Sequence, residues 1–157
     1  MTAQFSGRLI NECPEVDLNG LHLYAVLVGD IKNSTDIKPY QFSQKPNPNK
    51  INIFTACWNG YISEYKITRN KELLLTGFQY PALLPEKIEP DEANELASGD
   101  FWLDLRPDFF GEYVYVPFID GKLLANQEEW IFHKPYNETV INHSTNWFSK
   151  IKKFFNY

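Results

Sequence analysis

The fold is decided by a stretch that runs from Tyr61 to Phe78 and reads YISEYKITRNKELLLTGF. Its first eight residues alternate between two faces, and a period of two is typical of a strand with one face buried. A turn over 69–71 then leads into a leucine-rich return, so the stretch predicts a β-hairpin. Asn59-Gly60, a strong short turn signal, lies directly before it and predicts another antiparallel strand upstream.

Further strands are predicted along most of the chain, separated by turns rich in Gly, Pro, Asn and Asp. A second hairpin turns at Asp120-Gly121, a pair that favours a type I′ turn. Pro117 in this hairpin has no N–H to donate, which predicts an edge strand or a bulge there. Besides the first hairpin, the predicted strands cover residues 5–10, 21–28, 51–58, 101–105, 113–119, 122–124, 130–133 and 139–141.

Two segments break the strand pattern and predict helices. At about 90–98, Pro90 suits the first helical position, acids fill the first turn, and Gly99 suits the residue after the end. At about 145–155, apolar residues recur at helical spacing among lysines. The segment Asn33–Lys50 holds three prolines and predicts a long loop, which we expect to be mobile rather than functional.

The composition agrees with a β-rich fold. The 157 residues include 12 Phe, 9 Tyr and 4 Trp, and rigid rings fit the pleated, half-buried surface of a sheet. The length suits one domain, so we expect a single domain over residues 1–157. The predicted class is mainly β (α+β): an antiparallel sheet, formed as a sandwich or a partly closed barrel, with the two helices added.

Charge and targeting signals limit the classes of partner and the cellular locations that the sequence predicts. A net charge of −5 disfavours nucleic acid as a partner, because such binding needs a basic face. No apolar run approaches the ~20 residues that span a bilayer, and a secretion signal is lacking, so no membrane contact is expected. Cys13 and Cys57 show no CxxC spacing, and such sparse cysteine fits a reducing, cytoplasmic location.

No metal or cofactor site is predicted, because a metal needs several converging ligands. His22, His133 and His143 lie on different elements and show no ligand spacing. Cys57 precedes Trp58 in an apolar segment, so it is expected to be a buried thiol.

No catalytic residue is predicted either. The only paired carboxylates that attract notice are Asp104 and Asp108, which flank Arg106. Two acids serve acid–base chemistry when their environments separate their pKa values. An ion pair at a strand exit is the commoner arrangement and is preferred here.

The negative charge of the chain is concentrated between Glu86 and Glu112. Nine acids lie there against two bases, a local balance of −7, whereas the rest of the chain amounts to +2. Concentrated charge attracts a partner of opposite sign, and aromatic residues such as Trp102 lie among these acids, as they do in many interfaces. The alternative is a solvated surface that maintains solubility. The residues predicted to bind a partner protein are Asp91, Glu92, Glu95, Asp100, Asp104, Asp108 and Glu112.

The segment from Thr55 to Ile67 resembles a C-W-x-G-Y strand motif found in small bacterial proteins, including immunity-like partners of polymorphic or contact-dependent toxins. Cys57, Trp58, Gly60 and Tyr61 carry the resemblance, which covers about twenty residues. Asn59 stands where a basic residue is expected. The resemblance implies a β-rich binding protein and assigns no functional residue.

These features together predict a non-enzymatic protein-binding module, most concretely an immunity or antitoxin-like protein that occludes a toxin domain with a basic face. Two alternatives remain at this stage. One is a β-barrel that binds a small ligand in an aromatic-lined interior. The other is an unrecognised hydrolase that uses Asp104 and Asp108.

Overall fold

A computed structural model of the chain describes residues 7–53, 57, 59–82, 85, 87–107 and 112–133. Strands form 50% of the structure and helical turns 3%, which confirms the mainly β class. The strands are β1 (Gly7–Asn11), β2 (His22–Asp30), β3 (Thr35–Pro39), β4 (Ile62–Ile67), β5 (Leu73–Gln79), β6 (Asp91–Leu96), β7 (Phe101–Arg106), β8 (Tyr113–Ile119), β9 (Lys122–Leu123) and β10 (Ile131–His133), with a 3-10 helix at Gln127–Glu129.

All ten strands belong to one mixed sheet that is not closed. The strand order is β10-β8-β7-β2-β1-β4-β5-β6, while β3 pairs with β2 and β9 pairs with β8. Every pairing is antiparallel except that of β1 with β4. An isolated bridge between Glu72 and Lys122 links the turn of the β4–β5 hairpin to β9. The sheet therefore curls towards itself without completing a barrel.

The core lies on the face of the sheet where alternate residues of the central strands are apolar. On β7 and β8 the pairing places Phe101 opposite Phe118, and their rings stack with centroids 4.6 Å apart. The hairpin predicted from Tyr61 to Phe78 forms as β4 and β5, with Ile67 opposite Leu73. All four of these residues are buried, and burial alternates along β4 as the period of two predicted.

The β8–β9 hairpin turns as predicted. Asp120 and Gly121 both have positive φ, 50° and 75°, as a type I′ turn requires. Pro117 does not lie on an edge strand, because β8 pairs with β7 on one side and with β10 and β9 on the other. Its carbonyl accepts from the Leu124 N–H at 3.0 Å. Pro117 cannot return a bond to the Leu124 carbonyl, which accepts instead from Trp130 Nε1 at 2.7 Å.

The helix predicted at about 90–98 is wrong, since these residues form the strand β6. Half-buried and exposed residues alternate along it, and it pairs antiparallel with β5, with Glu95 opposite Leu75. The local signals fit both structures: Pro90 enters an edge strand as readily as a helix, and Gly99 has a φ of 76° in a turn. Pairing with β5 and packing of Ala93 against the core outweigh helix propensity, which is a weak prior.

Two other predictions are corrected in part. Residues 51–53, the start of the strand expected over 51–58, form no strand; instead the Asn52 N–H donates to the Gly60 carbonyl at 3.2 Å. The predicted loop Asn33–Lys50 contains strand β3. The strand predicted at 139–141 and the helix at 145–155 lie outside the described residues.

Across the ranges that the structure describes, no helix has both the length and the apolar character needed to cross a bilayer.

Gly77 holds β5 and β6 close together, because a Cβ at this position would lie 2.7 Å from the Asp91 carbonyl oxygen. We predict that Gly77→Ala lowers the free energy of unfolding by about 2–3 kcal/mol, since one strand must shift. Gly99→Ala is the control: its added Cβ meets nothing within 4 Å, so only the left-handed backbone costs about 1 kcal/mol. Urea unfolding measures both variants, and equal losses would contradict the close approach.

Candidate protein-interaction surface

The predicted partner-binding acids divide into two groups. Strand β6 and the turn after it carry Asp91, Glu92, Glu95 and Asp100, whereas β7 carries Asp104 and Glu112 precedes β8. Asp104 is buried, whereas Glu92 and Asp100 are exposed, so these acids do not form one surface. Asp108 lies outside the described residues.

Asp91 is tied to the segment that precedes residue 51. Its carboxylate accepts from Lys50 Nζ at 2.6 Å and from the Tyr80 hydroxyl at 2.7 Å. The same hydroxyl accepts from the Asn47 N–H at 2.8 Å. Lys50, and next Tyr80, lower the pKa of Asp91. The carboxylate therefore holds residues 47–50 against β6 and is matched by a local positive charge.

Glu95 and Asn94 hold the first part of the same segment, residues 43–50, which we name the strap. The Glu95 carboxylate accepts the backbone N–H groups of Ser43 at 2.8 Å and Gln44 at 2.7 Å. The Gln44 side chain donates to the Asn94 carbonyl at 2.9 Å and accepts from its N–H at 3.1 Å. The strap thus contacts β6 through several polar groups, and the mobility expected from the sequence stays a prediction.

A second set of acids near β6 is exposed. Glu89 precedes the strand, Glu92 lies on its outward face, and Asp100 follows it. Asp120 is adjacent, because its N–H donates to Asp100 Oδ1 at 3.0 Å. Within the described part of the chain, no ion pair involves these four carboxylates. We name this set the acidic rim: Glu89 and Glu92 lie at the start of β6, and Asp100 and Asp120 lie beyond its end.

Asp104 lies within β7 and, unlike the acids of the acidic rim, is only 3% exposed. Arg106 Nε and Nη2 donate to its two oxygens at 3.2 and 3.1 Å. The guanidinium lies 3.6 Å from the ring centroid of Tyr24 and 4.8 Å from that of Tyr113. Burial, and next the Asp104 charge, raise the pKa of Tyr115. Asp104 is therefore a covered, paired carboxylate rather than an exposed charge.

The described residues contain no group of three or more His, Cys, Asp or Glu side chains arranged to hold a metal ion. His22 is exposed on β2, His133 lies in β10, and His143 is outside the described residues. Cys13 and Cys57 are buried free thiols, as the apolar context of Cys57 predicted.

One cleft, of about 370 Å³, lies beside the β1–β2 connection rather than inside a barrel. The sheet is not closed, and this cleft lies at its surface. Among the described residues, its lining consists mostly of short aliphatic and polar side chains without an aromatic ring. The lining residues are Leu9, Asn11, Glu12, Cys13, Pro14, Val16, Asp17, Leu18, Asn19 and Leu21.

No protein-family model matches the chain, and neither a curated protein nor a solved structure matches it.

The role of the Asp104–Arg106 pair is tested by Asp104→Asn, which preserves shape and removes the charge that balances Arg106. Breaking a buried pair costs several kcal/mol, and because the Arg106 side chain is 21% exposed we expect a loss of about 2–3 kcal/mol. Glu12→Gln is the matched control, since Glu12 pairs with Lys66 at the surface and should contribute under about 1 kcal/mol. Similar losses in urea unfolding would argue against a structural role for the buried pair.

A pH dependence follows from Asp91. Because its pKa is lowered in the folded protein, the carboxylate stabilises the fold above the unfolded pKa of about 4 and loses this effect as the pH falls through the folded pKa. The stability difference between wild type and Asp91→Asn should therefore shrink between about pH 6 and about pH 2. Lys50→Met should reduce the difference at the higher pH. A difference that grows on acidification would contradict the ion pair.

Proposed function

We propose that this chain is a non-enzymatic protein-binding module, an immunity or antitoxin-like protein that neutralises a basic toxin domain by occluding it. The observation that carries the proposal is the acidic rim, whose four carboxylates are exposed and lie outside the ion pairs of the described residues. Asp91, Glu95 and Asp104, in contrast, serve internal contacts. The proposal therefore assigns the partner contacts to a smaller set of acids than composition suggested.

The acidic rim suits recognition by charge. Exposed carboxylates of one sign steer a basic partner and raise the association rate. Leu96, which is 48% exposed at the end of β6, adds an apolar side chain next to the acids, and the fixed β-sheet keeps the surface organised before binding. A rigid acidic face of this kind occludes a basic active site without any chemistry of its own.

The proposed location is the cytoplasm of the cell that makes the toxin. The buried free thiols of Cys13 and Cys57 support a reducing compartment, since paired cysteines prevail in oxidising ones. An inhibitor of this kind is needed where the toxin is synthesised, before the toxin leaves the cell.

The test is co-expression with the product of the adjacent gene, followed by growth and co-purification. We expect wild-type chain to protect the cells and to form a complex. Glu92→Lys should weaken the complex about tenfold, mainly by slowing association, and the loss should diminish at high salt. Glu128→Lys changes the charge equally on the exposed 3-10 helix and serves as the matched control. Absence of a complex, or equal effects of the two variants, would contradict the proposal.

A further inference from the structure

Among the described strands, β6 is an edge of the sheet, because it pairs with β5 on one side and ends the strand order. The N–H and C=O of Asn94 do not point at β5. Both bond to the side-chain amide of Gln44, at 3.1 and 2.9 Å. These are the two bonds that a residue of a neighbouring strand would make. Gln44 therefore occupies a position on β6 that fits the backbone of another strand.

The strap that supplies Gln44 is held weakly compared with the strands. Phe42 anchors its beginning, being 7% exposed with its ring 4.5 Å from Tyr40 and 5.6 Å from Tyr65. Between this anchor and Ile51, which packs against the core, the strap buries no residue fully. Its bonds to Glu95 and Asn94 are exposed to solvent, whereas those of Asn47 to Tyr80 and of Lys50 to Asp91 are partly buried. Segments with few buried apolar contacts and exposed hydrogen bonds open at the lowest free energy.

We propose that the strap opens and that the uncovered edge of β6 takes up an extended, basic segment of the partner protein as an added strand. This inference rests on the proposed function and names how the partner is held. Main-chain hydrogen bonds to Asn94 would fix the register of the added strand. Basic side chains at alternate positions of that strand would pair with the acids of β6.

The charge of β6 selects this occupant. Opening the strap removes Lys50 from Asp91 and two N–H donors from Glu95. Asp91 then keeps only its bond from the Tyr80 hydroxyl, Glu95 loses both donors, and Glu92 is already exposed. A second copy of the chain would bring its own acidic strand against this edge, and like charges placed opposite each other are destabilising. An extended segment with lysine or arginine at alternate positions would replace both the positive charge that Lys50 places beside Asp91 and the N–H donors that the strap supplies to Glu95.

The test uses two synthetic peptides of eight residues, one alternating lysine and valine and the other alternating glutamate and valine. Binding is followed by backbone chemical shifts and by hydrogen exchange of the Asn94 amide. We expect the lysine peptide to perturb β6 and to protect that amide, and the glutamate peptide to do neither.

Gln44→Ala weakens the strap and should raise the affinity for the lysine peptide about fivefold, because a larger fraction of the chain then has an open edge. Without peptide, this variant should exchange the Asn94 amide faster than wild type. Gln41→Ala is the matched control: Gln41 is exposed in the same loop and contacts Lys45, so its loss should leave affinity unchanged. Urea unfolding verifies that both variants fold.

Three outcomes would overturn strand addition: shifts that map away from β6, equal affinity of Gln44→Ala and Gln41→Ala, or equal binding of the two peptides. If Glu92→Lys still weakens the natural complex in that case, the acidic rim remains the binding surface and only the mode of binding is wrong. If Glu92→Lys has no effect on the complex while the lysine peptide adds to β6, the edge is a binding site and the proposed function fails.

Discussion

The parallel pairing of β1 with β4 holds the two parts of the sheet together. On one side of it lie β2, β7, β8 and β10, and on the other lie β5 and β6. Strand β1 joins them through five residue pairs with β4, from Gly7–Ser63 to Asn11–Ile67. Gly7 permits the approach, because a Cβ there would lie 2.8 Å from the Ser63 carbonyl oxygen. Since β1 and β4 are far apart in sequence, forming this pairing costs more loop-closure entropy than forming the local hairpins.

The curled sheet divides the acidic residues by role. Asp104 pairs with Arg106, whose guanidinium packs against two tyrosine rings. The negative charge of Asp104 is therefore balanced within the fold. Asp91 and Glu95 fasten the strap, while the acidic rim remains exposed to solvent. The net charge of a sequence segment therefore overestimates the charge that this segment presents on the protein surface. What a partner meets depends on which carboxylates the fold already uses.

The strongly periodic parts of the fold were predictable from the sequence. The alternation from Tyr61 and the Asp120-Gly121 pair determined their hairpins locally, through side-chain periodicity and backbone φ. Strand β6 was not predictable in this way, because Pro90, the acids and Gly99 suit a helix and only the distant β5 decides otherwise. Proximity in sequence revealed that Asp104 and Arg106 could pair, but their burial depends on Tyr24 in another strand.

The strap escaped prediction for a similar reason. The contacts of Gln44 with Asn94 and of Lys50 with Asp91 join residues about fifty and forty positions apart. No local sequence pattern predicts such distant pairs. A long segment rich in proline and asparagine therefore suggested mobility. Gln44 can hold the strap in place only because the edge strand β6 lies beside it and offers the backbone N–H and C=O of Asn94.

The strap also sets a threshold for whatever binds at β6. A tethered segment competes at a high effective concentration, which for short flexible connections reaches the millimolar range. Weak polycations, which are abundant in any cell, would be excluded because they cannot displace a competitor that never diffuses away. Only a ligand that matches both the backbone spacing and the charges would prevail. Competition from the strap would then lower the affinity of β6 for every ligand and raise its selectivity for a ligand of this kind.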